Sequence, residues 1–360
     1  MNLHSLEGRQ FRNFDNFSFI PSSGINLLYG LNGSGKTSLL EAIYFIGTGK
    51  SFRVSKANNL IQEGASQFSL FAQLASGRGK ILKAGIQRLS NQTLIKVNGD
   101  FVRKASTLAN LLPIQIIEPN LHQIMDDGPE FRRKFIEWGV FHVEPSYEAV
   151  WKQYRRNLAQ RNAALKKRLP DKQVKEWDRG MAQAATEIDH MRKSYLERLL
   201  SAINKTPDQE NILNRCDFEY YQGWPRELSY LECLTMNLHS DKERGFTQSG
   251  PHRADIRIKL GKLQAKDILS RGQQKMLISA LLVAQCQIIK AELNKDVVLL
   301  IDDFVSELDE NSQKRFMRLV AATQCQAFVT ATHGESLREA CGDIPYRMFH
   351  VEHGQIRQVV

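Results

Sequence analysis

Cysteine is scarce. There are five among 360 residues (Cys216, Cys233, Cys286, Cys325 and Cys341), odd in number, scattered and never in a C-x-x-C pair. That excludes a disulfide framework and gives a zinc site no support, so small, reduced, partly buried hydrophobes are expected. No apolar run approaches the roughly 18–20 residues of a membrane span. The opening MNLHSLEGRQFRNF lacks the apolar segment a secretory leader needs. A cytoplasmic protein with no membrane is expected. Internal repeats and low-complexity stretches are also missing. Hydrophobic residues at 42% and charged residues at 24% argue against global disorder and allow two domains, or one domain with an insertion.

Positive charge is abundant: 49 Lys and Arg against 39 Asp and Glu give +10. A basic chain of this size attracts polyanions, nucleic acid first. The distribution says more than the total. Residues 150–200 hold thirteen Lys and Arg against six Asp and Glu, so this one segment contributes +7.

The hydrophobic period divides the chain. Residues 2–110 read mainly as short strands separated by Asn, Pro, Ser and Gly, with a helix after Gly35 and a buried-type strand at 114–119. From about 120 to 205 the period approaches 3.6. Residues 146–168 and 172–203 read as two long helices joined at Leu169-Pro170-Asp171, with Tyr147, Trp151, Tyr154 and Leu158 lining one seam as core. A single helix at 226–244 follows, and α/β alternation returns. The expected organisation is an α/β domain from 1–118 and 246–360, interrupted by a helical insertion at 119–245 with its hairpin at 146–203.

Gly30-Leu31-Asn32-Gly33-Ser34-Gly35-Lys36-Thr37, followed by Ser38, is a complete Walker A loop between a strand, INLLY, and a helix. Its glycines let backbone N–H groups close on phosphate oxygens, and the helix N-terminus adds a positive dipole end. Lys36 is expected to bridge the β- and γ-phosphates of ATP, and Thr37 to ligate Mg²⁺. Val297–Ile301 followed by Asp302-Asp303 reads as Walker B, a strand buried on both faces that delivers carboxylates at its C-terminal end. Asp302 is expected to hold Mg²⁺ and Asp303 to orient the attacking water. Ser270-Arg271-Gly272-Gln273 opens a long helix with Ser270 as N-cap, a second anion-ready helix start. Thirty residues before Asp302, it matches the LSGGQ signature of ABC-type ATPases. Ser306-Glu307-Leu308-Asp309 looks like their D-loop.

The opening GRQFRNF, the segment Gly128–Phe135, the stretch Ser249-Gly250-Pro251-His252-Arg253 and the run DDFVSELD together resemble the RecF family over essentially the whole chain. The resemblance implies an ABC/SMC-type P-loop ATPase head with an inserted helical subdomain. It implies a recombination mediator acting with RecR, RecO and RecA on gapped or single-strand/double-strand junction DNA, in repair, replication restart and the SOS response. ATP sandwiched between Walker A of one subunit and the signature of another implies an ATP-driven homodimer, with weak, DNA-dependent hydrolysis resetting it. The chain departs from the pattern at Ala254, where many relatives carry a second acid, and at Asp303, where transporters place Glu. The switch position is open between Thr332 and His333, and the Q-loop glutamine between Gln115 and Gln123. DNA contact is expected to be phosphate-directed, with Arg132, Arg133, Arg155, Arg156, Arg161, Lys166, Lys167 and Arg168 as candidates. The alternative is an SMC-like structural ATPase whose arm serves protein contacts. A fast transporter-type or motor ATPase is disfavoured by Asp303 and the lack of a membrane signal. An ATPase–nuclease would need a further metal-binding carboxylate domain.

Overall fold

The computed structural model describes residues 1–76, 79–126, 128–204, 215–303 and 307–360. In chain order its elements are β1 (Asn2–Phe11), β2 (Phe14–Phe19), β3 (Ile25–Tyr29), α1 (Lys36–Thr48), β4 (Gln67–Ala75), β5 (Ile81–Leu89), β6 (Thr93–Val97), β7 (Asp100–Phe101), α2 (Ser106–Leu111) and β8 (Ile114–Ile117). Then come α3 (Gln123–Asp126), α4 (Pro129–Val143), α5 (Tyr147–Lys166), α6 (Asp171–Val174), α7 (Asp178–Asn204), β9 (Asp217–Tyr221), α8 (Tyr230–Met236) and α9 (Leu238–Arg244). The chain closes with β10 (Asp255–Leu260), β11 (Leu263–Gln264), α10 (Ala265–Ile268), α11 (Arg271–Leu293), β12 (Val298–Ile301), α12 (Glu310–Ala322), β13 (Gln326–Ala331), α13 (Gly334–Cys341), β14 (Tyr346–Glu352) and β15 (Gln355–Gln358).

Two compact units divide the chain, Met1–Leu121 with Ser279–Val360, and His122–Ile278. The first contains two six-stranded sheets. One is antiparallel, in the order β2-β1-β4-β5-β6-β7, and its strands alternate buried and exposed residues as a sheet with one dry face requires. The other runs β15-β14-β3-β13-β12-β8, parallel except for the β15 edge. All four residues of β12 and all six of β13 are buried, so these central strands read as near-continuous apolar runs. Leu39, Leu40, Ile43 and Phe45 of α1 share one core with the inward faces of both sheets. Each fully buried Leu, Ile or Phe there contributes roughly 1.5–3 kcal/mol. The Gln326 amide ties β1 to the parallel sheet, accepting from Leu3 N at 2.7 Å and donating to Leu3 O at 2.8 Å.

The second unit carries the helical hairpin. Arg161 meets Asp178, Arg192 meets Tyr147, and Arg198 meets Glu144. One number falls as the other rises, so α5 and α7 run antiparallel. Tyr147 and Tyr154 are buried, and Trp151 stacks between them at ring separations of 6.3 and 5.7 Å. The seam is core, as its spacing predicts. Three expectations change. The helix expected from 172 begins as α6, passes through a 3-10 turn at Lys175–Trp177, and settles into α7 at Asp178. The helix expected at 226–244 is two. Ser229 starts α8 with a capping box to Glu232, and the Asn237 amide, bonded to Cys233 Sγ and Ser249 Oγ, breaks the run before α9. The strand Asp255–Leu260 joins β9 and β11 in a three-stranded sheet of the second unit, so the chain returns to the first unit at Ser279 and not at 246.

Helix α11 is long and apolar enough to cross a membrane by length and composition, with an 18-residue window of mean hydropathy 1.5. Ser279, Gln285, Gln287, Lys290 and Glu292 interrupt it, so it is not an unbroken apolar run of the kind the sequence was expected to lack. It is 67% buried within the protein, which is the behaviour of a core helix.

Candidate functional site

The parallel sheet gathers the first set of candidate site residues at the C-terminal ends of its strands. β3 ends at Tyr29, the loop runs from Gly30, and α1 begins at Lys36. A Cβ on Gly30 would sit 2.1 Å from the Val351 carbonyl, and Gly35 holds φ at 115°, so neither position accepts a side chain without strain. Lys36 is 7% exposed and folds back on its own loop, donating to Gly30 O at 2.7 Å and Leu31 O at 3.0 Å. Burial lowers its pKa, and the nearby Asp303 and Asp302 carboxylates oppose that shift. The Ser34 hydroxyl is buried with no hydrogen-bond partner among the described residues. An orphaned donor inside a glycine loop, beside a lysine that bonds only carbonyls, is a cradle fitted to an anionic ligand.

Asp302 stands just past β12, its amide bonded to Ile117 O at 2.9 Å. Its Oδ1 accepts from Thr37 Oγ1 at 3.0 Å and from Thr330 Oγ1 at 2.9 Å. Burial raises its pKa, the two hydroxyls lower it, and Asp303 raises it again. Asp303 takes a left-handed φ of 44°, with its amide donating to Thr330 Oγ1 at 2.8 Å. A hydroxyl and a buried carboxylate converging on one point make a hard-oxygen set that suits a small divalent cation shared with phosphate oxygens.

Two residues here escape motif reading. Glu118 follows β8, the strand paired with β12, so it shares the same sheet end as Asp302. Burial, then the Asp302 charge, raise its pKa to about 7 against the opposing pull of Arg53. The signal that finds it is its place one residue beyond a strand next to Walker B. Thr330 lies within β13, and its hydroxyl reaches Asp302 only through the β12–β13 pairing.

Of the open positions, Gln115 is 7% exposed within β8. The Gln123 side chain and Ser306 lie outside the described residues. Thr332 Oγ1 approaches Asn32 Oδ1 at 3.5 Å. His333 lines a cavity of about 390 Å³ together with Gly30, Leu31, Arg338 and the stacked pair Tyr29–His350. Asp309 caps α12 by accepting from Ser312 N at 3.0 Å.

Ser270–Gln273 lies in the second unit. Gln273 N donates to Ser270 Oγ at 3.3 Å and Ser270 N to Gln273 Oε1 at 3.0 Å, a reciprocal cap at the start of α11 with all four residues exposed.

The basic candidates separate by burial. Arg161 is wholly buried, donating to Asp178 at 2.8 Å and to Asp241 and Thr247 at 2.7 Å. It is removed from the phosphate contacts expected from sequence, because the helical period turns it into the core. Arg132 is largely engaged as well, bidentate to Asp255 at 2.7 and 3.2 Å and bonded to the Ile124 carbonyl at 3.0 Å. Arg133 is half-buried, with Nη1 on Ala254 O at 2.9 Å. Arg155, Arg156, Lys166, Lys167 and Arg168 are exposed.

Residues 2–357 match the family model described as RecF/RecN/SMC N terminal domain. The chain is 39% identical over 359 residues to the DNA replication and repair protein RecF of Shewanella piezotolerans, covering 99% of both chains. It is 38% identical over 361 residues to the RecF of Pseudomonas fluorescens, covering 99% of this chain and 98% of that one. Among solved structures it superposes on the recombination mediator protein RecF-ATP of the RecFOR pathway with a TM-score of 0.86 at 25% identity, over 100% of this chain and 98% of the other. An SMC head bound to the C-terminal winged-helix domain of ScpA matches at a TM-score of 0.59 and 15% identity, over 100% and 97% of the two chains, a likeness of fold.

Proposed function

Because this chain belongs to the RecF family, within the RecF/RecN/SMC class of ATPase heads, we propose that it is an ATP-dependent DNA-binding protein of DNA replication and repair. The observation that carries the reading is the loop itself: an orphaned Ser34 hydroxyl, a Lys36 bonded only to carbonyls, and Thr37 set 3.0 Å from Asp302. ATP is the ligand this arrangement suits. Its β- and γ-phosphates would draw Lys36 off the Gly30 and Leu31 carbonyls, exchanging neutral acceptors for charged ones. Loop residues Gly30 to Gly35 would supply backbone N–H groups, with Ser38 in the first turn of α1. Thr37 and Asp302 would hold Mg²⁺, which neutralises phosphate charge when bound. Thr330 fixes the Asp302 carboxylate, and Asp303 is the residue to orient a water.

The exposed cap at Ser270–Gln273 is the second anion site. Its place in our reading is to grip the nucleotide of a twin subunit, so that ATP favours a homodimer over separated monomers. Hydrolysis, slow because Asp303 is one methylene shorter than a glutamate, would reset the dimer and act as a timer. We further place the protein in the cytoplasm, at gapped or single-strand/double-strand junction DNA, as a mediator that helps RecA loading with RecR and RecO, in replication restart and the SOS response.

Sedimentation velocity tests the core of this. Wild type should gain mass with ATP and Mg²⁺, and Lys36→Ala should remain at the mass of the nucleotide-free protein. Equal masses for both proteins in both conditions would remove the dimer switch.

A further inference from the structure

The second unit concentrates guanidinium groups around one loop, Ser249 to Ala254. Gly250 holds φ at 133°, and Pro251–Arg253 forms a single 3-10 turn. His252 is locked into it as a neutral tautomer: Nε2 donates to Thr247 O at 3.2 Å and Nδ1 accepts from the Tyr154 hydroxyl at 2.7 Å. Arg132 reaches Asp255 on the far side of the loop. Tyr154 of α5 and His252 of the turn thus lock together, and Arg132 of α4 is anchored on Asp255, the residue just past the loop.

Beside each anchor the next residue is an arginine. Arg133 follows Arg132, Arg155 follows Tyr154, and Arg253 follows His252. Arg155 and Arg253 are exposed, and Arg133 is half-buried. Arg133 is pinned by its bond to Ala254 O at 2.9 Å, and the Arg253 guanidinium lies 5.7 Å over the half-exposed Phe246 ring. Burial, with the Arg253, Arg133 and Arg155 charges, holds the His252 pKa down to about 4 against the opposing hydrogen bond to Thr247, so all three guanidiniums act on one imidazole. The neighbouring carboxylates bond elsewhere: Glu137 to Arg192 at 2.7 Å, Asp255 to Arg132 at 2.7 Å, and Glu130 to Lys134 at 2.8 Å.

Resting on the DNA-binding reading above, we propose that Arg133, Arg155 and Arg253 form a preorganised clamp for the DNA sugar-phosphate backbone. Three planar guanidiniums, each on backbone held by the anchored residue before it, present forked donors to phosphates from a fixed base. The contact carries no base information, because nothing in it is shaped to enter a groove. Lys166, Lys167 and Arg168, at the turn of the hairpin, are exposed but lack such anchoring, so they are steering charge at most.

The test is the salt dependence of gapped-DNA affinity, measured by anisotropy on the full chain with ATP and Mg²⁺. Replacing both residues, Arg155→Gln with Arg253→Gln, should make the log–log salt slope shallower by about 2 and weaken binding at least about tenfold, at an unchanged melting temperature. The Arg155→Lys, Arg253→Lys pair should restore most of the slope, since the charges return. Lys166→Gln, Lys167→Gln and Arg168→Gln together should move the slope by less than the clamp pair does. If the glutamine pair binds as wild type does, or the hairpin triple carries the loss, the clamp is wrong while the DNA reading stands. If wild type shows no salt-dependent DNA binding, or binds polyglutamate instead, the DNA reading falls and takes the clamp with it.

Discussion

Lys36 and Arg161 are both buried cations, and the two units treat them in opposite ways. Arg161 is surrounded by protein counter-charge, with Asp178 and Asp241 each within 2.8 Å. Lys36 bonds two backbone carbonyls and stays short of the Asp302 and Asp303 carboxylates that act on it through space. A buried ion whose compensation is built into the chain is part of the scaffold. One whose strongest compensation is left out is waiting for a ligand to bring it.

The contrast can be broken most sharply at Arg161. Arg161→Ala strands two buried carboxylates and should lower unfolding free energy by about 3–5 kcal/mol, read by urea denaturation of the nucleotide-free protein. ATP affinity of the folded fraction should hold. Lys36→Ala should do the reverse. Loss of a charged hydrogen-bonding group weakens ATP binding about 10- to 100-fold by calorimetry, while stability changes by less than about 1 kcal/mol. A Lys36 variant that unfolds as readily as the Arg161 one would erase the distinction.

Glu118 sharpens it through pH. Its pKa is raised to about 7, chiefly by burial and then by Asp302, so in the window between the unfolded carboxylate range and pH 7 the folded chain holds a proton that the unfolded chain has released. The stabilisation is complete below the unfolded pKa and disappears as pH rises through about 7. Relative to Glu118→Gln, wild type without nucleotide or metal should lose on the order of 1–2 kcal/mol between about pH 5 and pH 8, a figure already reduced for partial solvent screening. A parallel pair of melting curves would exclude a shifted Glu118. The smallest effect is expected at the α8 cap, where Ser229→Ala should cost about 1 kcal/mol and leave ATP and DNA binding alone.

Much of the proposed nucleotide site was legible from residue order because a P-loop is local. Its glycines, lysine and threonine lie within eight positions, and their geometry follows from the strand before and the helix after. Asp302 was legible for a related reason, since an apolar five-residue strand announces its own C-terminal end. Glu118 and Thr330 were not. Neither belongs to a motif, and each comes to stand beside Asp302 only through the order in which parallel strands lie side by side. The basic stretch was misread at Arg161 because a charge count does not distinguish the two faces of a helix, and the acids that neutralise it, Asp178 and Asp241, are 17 and 80 residues away.

By itself the sequence determined the glycine loop between strand and helix, the apolar strand that ends at Asp302, and the helical hairpin, because these depend on short-range backbone preferences and on hydrophobic period. Tertiary structure alone decided which charges are spent inside the protein and which remain for a ligand. That choice rests on burial and on pairings between distant segments, where desolvation makes an ion costly unless an opposite charge is brought to it.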